Sequence, residues 1–166
     1  DVPLIDPQSP EIDIAISTLS EDNYTPAEVK SEQVVESPQV RWPLEGTITT
    51  QFGVPHWPYQ PVHSGIDISD STASGVTPIY PFRAGTVIKA VSSNSGLGNY
   101  VEVDHGNGIT SVYAHLASST VLSGQPVTIT TELGRQGTTG MSTGVHLHFE
   151  IRINGQATNP LPFLKS

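Results

Sequence analysis

The sequence predicts an all-β fold of antiparallel sheets, and three features of residues 41–166 lead to that prediction. Short runs rich in β-branched and aromatic residues recur along this part of the chain. Turn residues (Gly, Pro, Asn and Asp) separate the runs, which is typical of antiparallel β-proteins. No stretch shows the apolar spacing of an amphipathic helix. A segment of about 125 residues is long enough to bury a hydrophobic core.

Six runs are predicted to contain strands. In chain order they are GIDISD, GTVIKAVSS, NYVEVDHG, GITSVYAHL, QPVTIT and GVHLHFEIRI. The third and fourth runs meet at the sequence GNG, which predicts a tight hairpin turn because Gly and Asn tolerate positive φ angles. If His105 lies opposite Ile109, the register of this hairpin places Asn99 opposite His115.

Residues 1–40 differ from the rest of the chain in composition. They are rich in Pro, Ser and acidic residues, and hold nine of the sixteen acidic side chains but only one base, Lys30. Such a composition predicts a linker or N-terminal extension. A spacer from an upstream anchor and an N-terminal regulatory segment are both compatible with it. The chain begins at Asp1, and we expect it to be a processed or excised piece.

Charge and composition exclude several classes of function. Residues 41–166 carry seven acids and six bases, so this part lacks the basic surface that nucleic-acid binding requires. The chain contains no cysteine, which excludes disulfides and thiolate metal sites. No apolar run approaches the roughly 20 residues of a membrane span, so no transmembrane segment is predicted in this chain.

The strand near the C-terminus carries the first candidate for chemistry. Leu147 and Phe149 alternate there with His146, His148 and Glu150. Because successive side chains of a strand point to opposite faces, the two histidines and the glutamate share one face. This polar face is typical either of a solvated strand or of a metal site.

A second cluster lies earlier, in the sequence HSGID. His63, Gly65 and Asp67 face the same way if the segment is extended, and Gly65 has no side chain to obstruct convergence on an ion. Imidazole and carboxylate groups are the usual ligands of catalytic zinc, which takes three protein ligands and keeps a fourth position for water. Spacing alone leaves open which of His146 and His148 would bind the metal.

These motifs together resemble a known family. HSGIDIS, YAHL and GVHLHFEIRING occur in that order, with GNYVEVDHGNG between the first two, as in the lysostaphin/LytM-type zinc endopeptidases of bacterial cell walls. The resemblance spans about residues 44–164. It implies a duplicated hybrid, barrel-sandwich-like fold of antiparallel sheets, with a cleft over the main sheet. It identifies the part of the chain that follows the linker, residues 41–166, as the catalytic domain.

The resemblance also implies roles for individual residues. It implies that His63, Asp67 and His148 bind one Zn²⁺ ion, and that His146 and His115 are catalytic histidines that do not bind it. We expect His146 to act as general base or proton shuttle and His115 to orient water or support the transition state. Neighbouring positions expected in the cleft or behind a ligand are Asn99, Glu150 and Tyr113.

The leading hypothesis is a zinc metalloendopeptidase that cuts the stem peptides or cross-bridges of peptidoglycan, in the bacterial cell envelope, periplasmic or extracellular. A second hypothesis is a non-hydrolysing module of the same fold that binds the wall or activates an amidase. The complete set of implied ligands argues against it. A third is a phosphocarrier, because glucose-specific phosphotransferase IIA domains have a related fold and paired histidines.

Overall fold

A computed structural model describes residues 39–55, 58 and 61–165. Within them the chain forms eleven strands and one 3₁₀ turn, and every strand pair is antiparallel, which confirms the predicted all-β class. The predicted linker lies outside the described residues, except for its last two positions. The elements are β1 (Thr47–Thr50), β2 (Ile66–Ser69), β3 (Pro78–Ile79), β4 (Gly85–Val91), β5 (Asn99–Asp104), β6 (Ile109–Leu116), β7 (Ser118–Ser119), β8 (Pro126–Val127), β9 (Gly134–Arg135), β10 (Leu147–Ile153), β11 (Gln156–Thr158) and the 3₁₀ turn Leu161–Phe163.

The strands form one large sheet and one small sheet. The order of the large sheet is β1-β2-β10-β6-β5-β4-β8, and β11 extends it by pairing with the second half of β10. The small sheet has the order β3-β9-β7. Strand β10 is therefore central, because β2 and β11 flank one edge and β6 flanks the other.

The two faces of β10 have different roles. Leu147, Phe149 and Ile151 are fully buried in a core that also contains Ile79 and Leu133, so both sheets contribute to one hydrophobic core. The opposite face carries the polar side chains of β10. Each run predicted from the sequence contains one of the strands observed, although β8 is only two residues long.

The predicted β5–β6 hairpin forms with one local change. Gly106, Asn107 and Gly108 all have positive φ angles, as the turn prediction requires. The predicted register holds for positions 101–104 of β5. It then shifts, and Asn99 pairs with Leu116 instead of His115. The register prediction is wrong at this end because β6 contains an extra residue.

His115 is the residue that marks this irregularity. Its φ angle is +61°, which is uncommon for a residue other than glycine. Regular alternation would place His115 on the core face beside Tyr113. The bulge instead puts Tyr113 and Leu116 in the core and leaves His115 on the cleft face.

Tyr113 belongs to a buried polar network on the core side. Its phenol oxygen accepts a hydrogen bond from the Phe82 amide at 2.9 Å. The Ser111 hydroxyl is hydrogen-bonded to the same phenol oxygen at 2.8 Å and to Nε2 of His105 at 2.7 Å. The Nδ1–H of His105 donates to the Ala84 carbonyl at 2.9 Å. Burial lowers the pKa of His105 to about 4, so the imidazole is neutral at pH 7 and Nε2 acts as an acceptor.

Replacing Tyr113 by phenylalanine is expected to lower the free energy of unfolding by about 1–3 kcal/mol, because the buried Phe82 amide loses its acceptor. Urea denaturation measures this change. Tyr100→Phe, at a partly exposed position of β5, is the matched control and should change stability by less than about 0.5 kcal/mol. A Tyr113→Phe protein as stable as the wild type would contradict the role of the network.

Candidate metal centre

Three buried side chains meet on the cleft face of the main sheet. Nε2 of His63 lies 3.1 Å from Oδ1 of Asp67 and 3.0 Å from Nδ1 of His148. Nδ1 of His148 lies 2.9 Å from the same carboxylate oxygen. These atoms form a nearly equilateral triangle, in which each residue offers one ligand atom to a shared point. We call this group the ligand triangle.

The main sheet brings these residues together. Asp67 in β2 lies directly opposite His148 in β10. His63 precedes β2, and its backbone forms hydrogen bonds with Gly53 and Val54. Between them, Gly65 lies against the backbone of Phe149, and a Cβ at position 65 would collide with that carbonyl group. The glycine therefore allows the segment before β2 to approach β10 closely. The sequence had suggested another reason for Gly65, namely that it leaves room for an ion.

Hydrogen bonds fix the orientation of both imidazoles. The Nδ1–H of His63 donates to the Gln51 carbonyl at 3.0 Å. The Nε2–H of His148 donates to Oε1 of Glu150 at 3.0 Å. Each ring therefore directs its other nitrogen at the ligand triangle, and in the neutral imidazole that nitrogen is unprotonated, as a metal ligand must be.

The electrostatics of the ligand triangle favour a cation. Burial acts to raise the pKa of Asp67, but hydrogen bonds with His148 and His63 outweigh it and hold the pKa well below its usual range. Burial acts to lower the pKa of His148, but its contacts with Asp67 and Glu150 raise that pKa to about 9. Both shifts mean that positive charge is stabilised at this point.

The donor set of the ligand triangle fits zinc. Two imidazole nitrogens and one carboxylate oxygen are typical zinc ligands. Bonds of about 2.0–2.2 Å in a tetrahedral site place the ligand atoms about 3.3–3.6 Å apart. The edges of the triangle, 2.9–3.1 Å, are somewhat shorter than that separation, so a small outward shift of the three side chains would admit the ion.

Two further histidines lie beside the ligand triangle. The ring of His115 is centred 5.0 Å from that of His146 and 5.8 Å from that of His148. The Nδ1–H of His115 donates to the Thr139 carbonyl at 2.8 Å, and the Nδ1–H of His146 donates to the Gly144 carbonyl at 2.9 Å. Nε2 of His146 lies 3.6 Å from Oδ1 of Asp67. Burial lowers the pKa of His115 to about 4.

All five of these residues line one cleft of about 650 Å³. The loop containing residues 96–97 and the loop containing residues 141–143 form part of its wall, and the Met141 amide donates to the Gly96 carbonyl at 2.8 Å. The lining residues are Thr49, Thr50, His63, Ser64, Asp67, Gly96, Leu97, His115, Met141, Ser142, Thr143, His146, His148, Glu150, Arg152, Gly155 and Ala157. The cleft therefore combines a candidate metal site with two nearby proton acceptors.

The model of peptidase family M23 matches residues 61–160, which contain the ligand triangle and both neighbouring histidines. The chain belongs to peptidase family M23. This membership confirms the lysostaphin/LytM-type family predicted from the motifs, and it sets the phosphocarrier hypothesis aside.

Two curated relatives of this M23 chain differ in what they do. The DD-carboxypeptidase/endopeptidase Mpg of Neisseria meningitidis is 41% identical over 100 residues, covering 60% of this chain and 22% of the relative. The murein hydrolase activator NlpD of Escherichia coli is 33% identical over 124 residues, covering 75% of this chain and 31% of the relative. The chain thus spans less than a third of the length of either relative.

Among solved structures, the M23 domain is similar to the catalytic domain of the antimicrobial peptidase lysostaphin from Staphylococcus simulans. The TM-score is 0.65 at 31% sequence identity, over 73% of this chain and 93% of the lysostaphin domain. The lysostaphin-like fold predicted from the sequence is therefore confirmed.

Glu150 and Arg152 show what sequence reasoning noticed and what it missed. Glu150 is 2% exposed, so its face of β10 is not a solvated strand face. Its Oε2 accepts a hydrogen bond from Nε of Arg152 at 2.7 Å and forms an ion pair with Nη2, at 2.6 Å. Strand alternation places Arg152 on the same face as His148 and Glu150, but sequence reasoning assigned it no role.

Two positions expected in the cleft lie elsewhere. Tyr113 is fully buried in the core and does not line the cleft, because the bulge separates it from the face of His115. Asn99 is also absent from the cleft lining. Its side-chain amide donates to the carbonyls of Leu116 and Ala117, at 3.0 and 3.3 Å. The structure therefore places neither of these two residues in the lining of this cleft.

Proposed function

We propose that residues 41–166 form a zinc-dependent endopeptidase domain that hydrolyses peptide bonds in the stem peptides or cross-bridges of bacterial peptidoglycan. The observation that carries this proposal is the ligand triangle with His115 and His146 in the same cleft. Membership of family M23 supports the reaction class, and the Neisseria relative, a DD-carboxypeptidase/endopeptidase, supports the substrate.

The zinc ion is assigned to His63, Asp67 and His148. When bound, zinc supplies Lewis-acid polarisation of a peptide carbonyl and lowers the pKa of a water molecule at its open position. The protein's contribution is to hold the two imidazoles in the correct tautomers, through Gln51 and Glu150.

His146 and His115 are assigned to proton transfer and water orientation. Because Nδ1–H of His146 donates to Gly144, its Nε2 is the nitrogen that accepts a proton, and it lies beside the ligand triangle. His146 therefore serves as general base and then returns the proton to the leaving amine. His115 has the same arrangement through Thr139, so its Nε2 accepts a hydrogen bond from the attacking water.

The second candidate function is that of a murein hydrolase activator. The similarity to Escherichia coli NlpD, which extends over 75% of this chain, favours it. An activator works through contact with another protein and has no need of a complete set of zinc ligands and proton acceptors. The presence of both sets makes hydrolysis the preferred proposal.

The proposed location is the bacterial cell envelope, periplasmic or extracellular, because an endopeptidase and a hydrolase activator would both serve the breakdown of peptidoglycan there. Within the described residues, no helix combines the length and the apolar character needed to cross a bilayer. The proposed partner is the peptidoglycan peptide, which follows from the proposed function. Residues 1–40 are proposed as an extension that links or regulates the domain.

The test of this proposal is digestion of purified peptidoglycan by the full chain, followed by mass spectrometry of the released fragments. We expect new peptide termini, loss of activity with a zinc chelator, and recovery after zinc is restored. A parallel assay adds a murein amidase. Fragment release that occurs only with the amidase, and that a His148→Ala variant of this chain supports as well as the wild type, would contradict the endopeptidase and support the activator.

A further inference from the structure

Glu150 is a buried carboxylate with both oxygens engaged. Its Oε1 accepts hydrogen bonds from the Nε2–H of His148, at 3.0 Å, and from the Ser64 hydroxyl. Its Oε2 accepts a hydrogen bond from Nε of Arg152 at 2.7 Å and forms an ion pair with Nη2, at 2.6 Å. One carboxylate thus joins a candidate zinc ligand to a guanidinium group.

Charges of alternating sign continue from Arg152 across the sheet. Its Nη1 lies 3.9 Å from Oε1 of Glu102, and Oε2 of Glu102 accepts a hydrogen bond from Lys89 Nζ at 2.8 Å. Glu150 and Glu102 both pair with Val112 of β6, from opposite sides, so these side chains share one row and one face of the sheet. Contacts between these charged side chains therefore connect Lys89 of β4 with His148 of the ligand triangle.

Arg152 neutralises a charge that burial would otherwise make costly. An unpaired buried carboxylate is strongly unfavourable, and removing its partner leaves that cost uncompensated. Nε and Nη2 of Arg152 both face the single oxygen Oε2, and this rigid, planar pair of nitrogens fixes the direction of the carboxylate in a way that a flexible ammonium group does not. With Oε2 held by Arg152, Oε1 of Glu150 is directed at His148.

We propose that Arg152 is a positioning residue for the metal centre, which acts through Glu150 to hold His148 in the tautomer and orientation that bind zinc. This inference rests on the proposed function, because it assumes that zinc is the ion bound. Partners one step behind a metal ligand typically change metal affinity by 10- to 100-fold. Arg152 lies two steps behind, and its effect depends on the presence of Glu150.

The experiment is a double-mutant cycle read out by zinc affinity rather than by activity. Zinc dissociation constants are measured by chelator competition for the wild type, Arg152→Met, Glu150→Gln and the double variant. We expect Arg152→Met to weaken zinc binding about 10-fold in the wild-type background, and less than about 2-fold when Glu150 is already glutamine. The absorption spectrum of the Co²⁺-substituted Arg152→Met protein should differ from that of the wild type, because the orientation of His148 changes.

Arg135→Met is the matched control. Arg135 also pairs with a glutamate, Glu132, at 2.8 Å, but it does not line the cleft. Zinc affinity should stay within about 2-fold of the wild type in this variant. If Arg152→Met does not fold, Arg152→Lys decides the question, since it keeps the charge and the stem but loses the fork of donors.

Two results would overturn the inference. One is unchanged zinc affinity in both Arg152 variants, and the other is an equal loss in the presence and absence of the Glu150 carboxylate. The failure of the proposed function is a different result: a wild-type protein that binds no zinc or leaves peptidoglycan intact. A wild type that binds zinc and hydrolyses peptidoglycan, with an Arg152→Met variant of equal affinity, refutes only the positioning role.

Discussion

Replacement of His148 by alanine is expected to abolish zinc binding and, with it, peptidoglycan hydrolysis. Nδ1 of His148 is one corner of the ligand triangle, 2.9 Å from Asp67 and 3.0 Å from His63. The variant keeps two of three ligands, and Glu150 loses its imidazole donor. We expect zinc content to fall from about one ion per chain to near zero. Activity should fall at least about 10³-fold, since a catalytic metal supplies several kcal/mol of transition-state stabilisation.

The matched control for this variant is His105→Gln. His105 is another partly buried histidine of the same domain, hydrogen-bonded to Ala84 and Ser111, and it does not line the cleft. We expect this variant to lose some stability and to keep its zinc. Elemental analysis and fragment release are measured for both proteins. A His148→Ala protein that still holds one zinc ion and digests peptidoglycan would contradict the ligand assignment.

Replacement of His146 by alanine is expected to give the opposite combination, with zinc retained and turnover lost. The Nδ1 of His146 is engaged by Gly144, and its Nε2 lies 3.6 Å from Oδ1 of Asp67, beside the ligand triangle. As general base it should contribute about 10²- to 10⁴-fold to kcat, and KM should change little. Steady-state kinetics with a soluble stem peptide, together with zinc content, measure both effects.

Two further variants make the His146 result specific. His115→Ala should also keep zinc and lose turnover, because its Nε2 is assigned to the attacking water. Thr143→Ala changes another residue of the cleft wall and should leave kcat within about 2-fold of the wild type. Loss of zinc in His146→Ala with retention in His148→Ala would reverse the roles assigned to these two histidines.

Much of the fold could be predicted from local signals. The strand runs, the GNG turn and the register of β5 against most of β6 follow from side-chain period and turn chemistry, which act over a few residues. The shared face of His148 and Glu150 follows from the same period. Arg152 was open to the same reasoning, and the alternation of the last strand was the signal that could have identified it.

The bulge at His115 shows where such reasoning ends. Alternation predicts that Tyr113 and His115 share a face, and one positive φ angle separates them. That conformation is unfavourable for histidine by itself, so the surrounding contacts must stabilise it. The hydrogen bond from His115 to Thr139, 24 residues further along the chain, is one of these contacts. No local pattern encodes it.

By itself, the sequence determined the all-β class, the hairpin turn, the side-chain types of the candidate metal site and, through the motifs, the family. The tertiary structure alone decided that Asp67 lies opposite His148, that His115 turns into the cleft, and that Arg152 supports Glu150. The physical reason is the range of the interactions. Side-chain period and turn geometry depend on neighbouring residues, whereas the ligand triangle requires two strands about 80 positions apart to pair in a single register.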